Sequence, residues 1–229
     1  MLHKTKGIVL SYIRYKETSI ICKIFTRELG LKSYLVNGVR SQKSKSTIAL
    51  YQPMNVLEMV VYNKDNSGLQ RISEVKLHQA NQLIPFDFNR TGLAMFMTEV
   101  ISKSIFENYQ NESLFDFLEE SIFKLDQKET SLLHFPLVFL IENARFLGFA
   151  PESAEEFLTE NLGQPFEVTE IPLAENFIEK LILHQYSCEE KVSLGLRRKV
   201  LDHLLEFYNQ QLENNQTWKS MTILRQLLS

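Results

Sequence analysis

Cysteine is scarce in this chain of 229 residues, which holds two, Cys22 and Cys188, and no CxxC pair. Two cysteines so far apart exclude a disulfide framework and a zinc site built mainly from cysteine. Both are therefore expected to be buried, small apolar side chains in a reducing compartment. The sequence predicts neither a metal nor another cofactor.

Long apolar runs are also missing. No stretch approaches the roughly 18 apolar residues that cross a membrane. The beginning of the chain, MLHKTKGIVLSYIRYKE, is interrupted by charges and tyrosines, so it lacks the apolar core of a signal peptide. The sequence therefore predicts a cytoplasmic protein that has no membrane partner.

Motifs for catalysis are absent: the chain has no HExxH, no GxSxG and no phosphate-binding glycine loop. Its five histidines, at positions 3, 78, 134, 184 and 203, share no spacing. Acidic pairs such as Glu119-Glu120 are typical of solvated helix faces. We expect a protein that is not an enzyme and has no small-molecule substrate. The alternative, a hydrolase or transferase with an unfamiliar site, would need histidines and carboxylates to meet in the fold.

Negative charge is scarce at one end of the chain. Residues 1–80 contain 13 Lys and Arg against 5 Asp and Glu, a formal charge of +8 in a chain whose total is −3. The other residues contain 12 against 23, a formal charge of −11. Such an asymmetry indicates a polyanionic partner for the basic part.

The basic part has the pattern of five short β-strands. The runs rich in β-branched and aromatic residues are GIVLSYIRY, SIICKIFTR, LGLKSYLVNGVR, NVLEMVVYN and LQRISEVKLHQ. Connections with turn residues after the second and fourth runs predict hairpins. The segment SQKSKSTIALYQP predicts a loop with a short helix. Five strands in about 80 residues are typical of a small barrel or sandwich.

The apolar period becomes helical after Pro85. Helices are predicted within TGLAMFMTEVISKSIFENY, NESLFDFLEESIFKL, TSLLHFPLVFLIENARFLGFAP, ENFIEKLILHQY, LGLRRKVLDHLLEFYNQQLE and SMTILRQLL. Asn111 is a candidate N-cap of the second helix, and Gly148 and Pro151 are expected to end the third. Residues 152–173 have little periodicity and predict a loop with some short strand.

Two domains follow from this change of pattern. We predict a basic barrel over residues 1–82 and an acidic, all-α domain over residues 83–229. The fold class is therefore α+β.

Cations of the second and third strands are candidates for contacts to phosphate. Alternation sends Ile20, Cys22 and Ile24 to the core, so Lys23, Phe25 and Arg27 would share the opposite face, and Lys32, Tyr34 and Val36 would likewise share one face. In a hairpin, such rows predict a surface of cations beside aromatic rings, which suits single-stranded nucleic acid. The candidate residues are Lys23, Arg27, Lys32, Tyr34, Arg40, Lys43 and Lys45.

Other interpretations of this surface remain open. An ordinary solvated barrel surface would also carry lysines, and composition alone does not separate DNA from RNA or from an anionic membrane. The direction of Arg14 and Lys16 depends on strand register.

A second cationic cluster, Arg197, Arg198 and Lys199, lies at the start of the helix GLRRKVLDHLLEFYNQQL. Cations in the first turn oppose the helix macrodipole, so they favour an external or tertiary anion. A structural salt bridge within the acidic domain and binding of a partner are both compatible with this position.

Together these stretches resemble the RecO family of bacterial recombination mediators. The residues that carry the resemblance are GIVLSYIRYKETSIICKIFTRELGLKSYLVNGVRSQKSK, FLGFAP at 146–151 and LRRKVLDHLLEFYNQQLENNQTWKSMTILRQL. The resemblance implies a five-stranded OB-fold barrel followed by a helical domain. Many members carry a four-cysteine zinc module after the segment that matches LGFAP, but residues 152–187 contain no cysteine. No zinc module is therefore expected.

The resemblance implies a non-catalytic mediator of DNA repair and homologous recombination. It would bind single- and double-stranded DNA, anneal complementary strands, and with RecR load RecA onto DNA coated by SSB. The alternative is a protein-binding adaptor whose basic barrel contacts an acidic protein.

The resemblance also implies that the helical domain receives the acidic C-terminal tail of SSB. Arg198 and Lys199 are the candidates for this contact, with Phe207 and Tyr208 further along the same helix for apolar walls. Arg197 shares a stripe with Leu201, Leu204 and Tyr208, which suits a tertiary anchor equally well.

Overall fold

The computed structural model consists of two compact units. It describes residues 1–40, 47–64, 68–151, 153–159, 166–213 and 217–227. The first unit contains Met1–Phe86 and Val100–Phe123, and the second contains Asp87–Glu99 and Lys124–Ser229. The domain boundary at residue 82 stays a prediction.

A closed five-stranded barrel forms most of the first unit. Its strands are β1 Leu2–Tyr15, β2 Ser19–Thr26, β3 Gly30–Val36, β4 Val56–Tyr62 and β5 Gln70–Leu77. They pair in the order β1-β2-β3-β5-β4, with β3 and β5 parallel and the other pairs antiparallel. This is the OB-fold, so the barrel and both predicted hairpins are confirmed. A short 3₁₀ helix, Thr47–Tyr51, precedes β4, as predicted.

Alternate residues of the strands fill the barrel. Ile20, Cys22 and Ile24 of β2 are fully buried, as the alternation predicts. They pack in one apolar cluster with Tyr34 of β3 and Tyr51 of the 3₁₀ helix. Because the barrel is closed, each strand has a single inward face and its other face is turned outward.

Two helices follow the barrel: α1, Phe88–Ser104, and α2, Glu112–Leu125. The backbone N–H of Leu114 donates to Oδ1 of Asn111 at 2.9 Å, so the predicted N-cap is confirmed. Within the first unit, the ring of Phe115 on α2 packs on Phe25 of β2, with the ring centroids 6.0 Å apart. This contact covers the part of β2 that carries Phe25.

Ion pairs surround the same contact. Arg27 donates to both carboxylate oxygens of Asp116, at 2.7 and 2.9 Å, and lies 2.8 Å from the carboxylate of Glu112. The hydrogen bond from Arg27 holds the pKa of Asp116 below its ordinary value. Lys6 of β1 is paired with Glu119 at 2.7 Å. Acidic residues of α2 therefore bind Lys6 of β1 and Arg27, which directly follows β2.

Helices make up the second unit within the described residues. They are the first turns of α1 together with α3 Phe135–Leu147, α4 Ala154–Thr159, α5 Ile171–His184, α6 Leu194–Gln211 and α7 Met221–Leu227. α3 is buried on every side from Phe135 to Ala144. It ends at Gly148, which has a φ of 85° and donates its N–H to the last turn, as predicted.

A buried hydrogen-bond chain joins α3 to α6. The hydroxyl of Tyr208 donates to the carbonyl of Leu140 at 2.7 Å and accepts from Nδ2 of Asn143 at 2.9 Å. The Tyr208 hydroxyl and the amide nitrogen of Asn143 can be buried because each has a hydrogen-bond partner.

The prediction of loop and short strand over residues 152–173 is wrong at two places, because α4 and the start of α5 lie there. The hydroxyl of Ser153 accepts from the N–H of Glu156, and Phe157 is buried with its ring 5.7 Å from that of Phe207. A cap and one buried ring support α4, and a helix this short shows no apolar period. Residues 152 and 160–165 lie outside the described residues.

Gly30, at the turn between β2 and β3, lies at a position that a side chain would destabilise. Its φ is 72°, and a Cβ there would collide with the carbonyl oxygen of Tyr109. We expect Gly30→Ala to destabilise the protein by about 3 kcal/mol, from the backbone conformation and the collision together. Gly38 has a similar φ of 74° with no atom near the position of its Cβ, so Gly38→Ala should cost only about 1 kcal/mol. Urea unfolding followed by circular dichroism measures both, and equal costs would contradict the contact with Tyr109.

The ion pair of Arg27 predicts a dependence on pH. Asp116→Asn should destabilise the protein by about 1 kcal/mol or less at pH 7, because the pair is largely exposed. The folded-state pKa of Asp116 is lowered, so its stabilisation is present above the ordinary aspartate pKa and is lost as the pH falls through the folded value. The difference between wild type and variant should therefore vanish in acid. Glu120→Gln on the same helix is the control, and a difference that persists in acid would contradict the assignment.

Candidate nucleic-acid interface

Strand register decides which side chains share the outer face of the barrel. Ile13 of β1 lies opposite Ile21 of β2, which lies opposite Leu35 of β3. Leu35 in turn neighbours Arg71 of β5, and Arg71 lies opposite Tyr62 of β4. Opposed residues of paired strands point to the same face, so these five form one row across the strands.

This row is accessible. The side chains of Ile13 and Tyr62 are 63% and 45% exposed, and Arg71 is exposed as well. Lys23 belongs to the adjacent row, opposite Ser11 on one side and Ser33 on the other, and is also exposed. Cations and a tyrosine ring therefore lie on the outer face of β2, β3, β5 and β4.

The turn between β1 and β2 adds a further group. Arg40, in the segment after β3, donates its backbone N–H to the carbonyl of Thr18 at 3.0 Å and its guanidinium to the carbonyl of Lys16 at 3.4 Å. Nζ of Lys16 lies 5.4 Å from the centroid of the Tyr15 ring. Arg14 precedes this turn and is exposed, but it lies opposite the core residue Ile20, so it does not share the outward face of Ile13 and Lys23.

We call these residues the outer band. Its members are Tyr15, Lys16, Lys23, Arg40, Tyr62 and Arg71. None of its four cations forms an ion pair with a carboxylate of the described residues, and the band extends from the β1–β2 turn across β2 and β3 to β5 and β4. Unpaired cations beside exposed rings can contact phosphates and stack on bases.

Other predicted cations lie elsewhere. Arg27 is engaged by Asp116 and Glu112, and Nζ of Lys32 donates to Oδ1 of Asn108 at 2.6 Å. Lys43 and Lys45 lie outside the described residues. Of the predicted set, the structure brings Lys23 and Arg40 to the outer band.

The expected exposure of two aromatic rings is wrong. Tyr34 is fully buried in the barrel, where burial raises its pKa, and Phe25 is buried against Phe115. The register pairs Tyr34 with Cys22 and Lys23 with Ser33, so the row that contains Tyr34 points inward while the row of Lys23 points outward. A shift of one residue exchanges the two faces of a strand, and sequence alternation alone does not set this relation between strands.

Tyr62 and Arg71 were missed by the sequence interpretation. Both lie on strands that were predicted, but they reach the outer band only because β5 inserts between β3 and β4. A register derived from the OB-fold topology would have found them.

The helical unit places the second cationic cluster as follows. Nζ of Lys199 lies 2.6 Å from the carboxylate of Glu170, and Arg198 donates to the backbone carbonyl of Arg225 at 3.2 Å. Arg197 is 7% exposed and donates to the carbonyl of Val192, which is the position of a tertiary anchor.

The aromatic residues expected beside this cluster are buried. Phe207 and Tyr208 are 2% and 0% exposed, because both belong to the core contacts of α6. The expectation that they line an open pocket is therefore wrong.

Two of the five histidines and both cysteines have structural surroundings, whereas His78 lies beside carboxylates, with Nδ1 2.8 Å from Glu58 and Nε2 3.5 Å from Glu119. Nε2 of His134 and of His203 each lies 2.9 Å from a backbone carbonyl, those of Glu190 and Phe157. Cys22 is buried, and burial raises the pKa of its thiol to about 12, so the reactive thiolate is disfavoured. The described part of the chain contains no group of three or more His, Cys, Asp or Glu that is arranged to hold a metal ion.

The described helices include no candidate for a membrane span. Not one of them is both long and apolar enough to cross a bilayer.

Two family models and several known proteins are similar to this chain. The family model described as Recombination protein O N terminal matches residues 1–81, and Recombination protein O C terminal matches residues 85–228. DNA repair proteins RecO of Flavobacterium johnsoniae and Flavobacterium psychrophilum are 34% and 33% identical over 236 residues, which cover 99% of this chain and 99% of each relative. A DNA repair protein RecO of Phocaeicola vulgatus is 39% identical over 155 residues, 68% of this chain and 64% of its own. The chain belongs to the RecO family of DNA repair and recombination proteins.

Proposed function

We propose that the barrel binds DNA through the outer band, and that the protein acts as a non-catalytic recombination mediator in the cytoplasm. The observation that supports this most is a set of four cations that form no ion pair with a described carboxylate and lie beside two exposed tyrosines, in a member of a DNA repair family. The outer face of strands β2 and β3 and the adjoining loops are where OB-folds bind oligonucleotides.

Single- and double-stranded DNA use this surface differently. Lys23, Arg40 and Arg71 attract the phosphates of either form, because both forms carry the same negatively charged backbone. Tyr15 and Tyr62 offer ring faces only to unpaired bases. We include Lys43 and Lys45 among the proposed phosphate contacts because they follow Arg40 closely in the sequence. Arg27 and Lys32 could contact phosphate only after they leave Asp116 and Asn108.

Annealing follows from such binding. A surface that holds one strand by its phosphates leaves the base edges available to a complementary strand and lowers the repulsion between the two backbones. We propose that the protein anneals strands in this way and, together with RecR, helps to load RecA on DNA coated by SSB. Membership of the RecO family supports this role.

The salt dependence of binding tests the proposal. A variant carrying Lys23→Ala, Arg40→Ala and Arg71→Ala should bind a single-stranded oligonucleotide more weakly, and the slope of log affinity against log salt should fall by about 2, because each phosphate contact to a single strand contributes about 0.7. Fluorescence anisotropy across a salt series measures both quantities.

Lys76 provides the matched control. It lies on β5, as Arg71 does, but is paired with Glu58 at 2.7 Å, so Lys76→Ala should leave the slope unchanged. An unchanged slope in the triple variant would contradict the proposal that the outer band contacts DNA phosphates. If wild type retains no oligonucleotide at low salt, the alternative of an adaptor that binds an acidic protein is favoured.

We also propose that Arg198 and Lys199 contact the acidic tail of SSB. Lys199 would exchange Glu170 for the peptide, and its present salt bridge shows that its ammonium group is within reach of a carboxylate. The apolar part of the contact must come from residues other than Phe207 and Tyr208, because both are buried.

A peptide titration tests this contact. Arg198→Glu with Lys199→Glu should weaken binding of the tail peptide by about fivefold or more at low salt, because two attractions at half-buried side chains become repulsions. Lys128→Glu with Lys180→Glu makes the same change of net charge in the same unit and serves as the control. Equal affinities of the two double variants would place the peptide elsewhere.

A further inference from the structure

The segment after α1 is a turn that is hydrogen-bonded to β3 through its backbone. The N–H of Leu31 donates to the carbonyl of Tyr109 at 2.9 Å, and the N–H of Asn108 donates to the carbonyl of Leu31 at 2.8 Å. β5 pairs with the same strand further along, at Tyr34 and Leu35. Residues 106–109 therefore occupy the part of the β3 edge that β5 leaves open.

Side chains hold this segment in place. Nζ of Lys32 donates to Oδ1 of Asn108 at 2.6 Å, and the carboxylate of Glu107 accepts from the N–H of Ser33 at 3.1 Å and from its hydroxyl at 3.4 Å. Ser33 lies opposite Lys23, so the segment adjoins the outer band at that residue. A segment bound through both backbone and side chains has little freedom to move.

Phe106 begins this segment and projects into solvent. Its side chain is 71% exposed, and its ring packs edge-to-face on Tyr109 with 5.5 Å between centroids and an interplanar angle of 74°. The edge-to-face contact fixes the ring and leaves a ring face uncovered by Tyr109. The exposed ring thus stands on a fixed support, next to the strand that carries Lys32.

We infer that Phe106 is a stacking platform for one unpaired base of a bound single strand. Lys23 on the adjoining row provides the phosphate contact that accompanies the stacked base. This inference rests on the proposed function and extends it, because it adds a residue outside the barrel strands to the binding surface. It also assigns to that residue a preference for single-stranded over double-stranded DNA.

The physical reason for the preference is the accessibility of base faces. In a duplex both faces of each base are covered by its neighbours, and freeing one costs unstacking energy. In a single strand a base can turn onto a protein ring, which is worth about 5- to 150-fold in affinity per stacked base. The ring carries no charge, so its contribution does not depend on the release of counterions.

Binding of single-stranded and duplex oligonucleotides of equal length to the full chain tests the inference. Phe106→Ala should weaken single-strand binding by about 5- to 150-fold, leave duplex binding unchanged and leave the salt slope unchanged. Phe106→Tyr keeps the ring and should bind within about twofold of wild type. Phe123→Ala is the control, since Phe123 is 48% exposed in the same unit but lies on α2 beside Glu119 and Glu120.

Two results would overturn the inference while leaving the outer band intact. One is a Phe106→Ala variant that binds the single strand as wild type does, while Lys23→Ala with Arg71→Ala still lowers the salt slope. The other is an equal loss for single strand and duplex, which would make Phe106 a support of the surface and not a base contact. Failure of wild type to bind either oligonucleotide would overturn the proposed function together with this inference.

Discussion

The register between β2 and β3, inside a closed barrel, is the constraint on which the surface chemistry of the first unit depends. Cys22 opposite Tyr34 places one row of side chains inward, and Lys23 opposite Ser33 places the next row outward. A slip of one residue would bury Lys23 and expose the core, which closure of the barrel prevents. The parallel pair of β3 and β5 then adds Arg71 to the outward row beside Leu35.

The cations of the basic part do not all lie on one surface. Lys6 and Arg27 face the acidic residues of α2 within the first unit, so their charges stabilise the packing of that helix on the strands. Neither Lys23 nor Arg71 forms an ion pair with a carboxylate of the described residues, and both are exposed. Some cations therefore stabilise the packing of α2, and others lie on an accessible surface. The position of each residue along its strand decides between the two roles.

An open strand edge is a hazard for a β-protein, because its unpaired N–H and C=O groups invite other chains. In this barrel the edge of β3 is shared between β5 and residues 106–109. Gly30 permits the close approach, since a Cβ there would meet the carbonyl of Tyr109. The same pairing gives Phe106 its fixed support, so protection of the edge and presentation of an exposed ring have one structural cause.

Local pattern was sufficient for the strands, most helices, the N-cap at Asn111 and the end of α3 at Gly148, because propensity, apolar period and capping act between near neighbours. Charge asymmetry likewise marked the barrel as the basic part. Tertiary structure alone decided that Tyr34 points inward, that Arg27 meets Asp116 and that Tyr62 and Arg71 join Lys23. These outcomes depend on register and on pairing between distant segments. α4 depends in the same way on the burial of Phe157, since contacts far apart in sequence leave no local period.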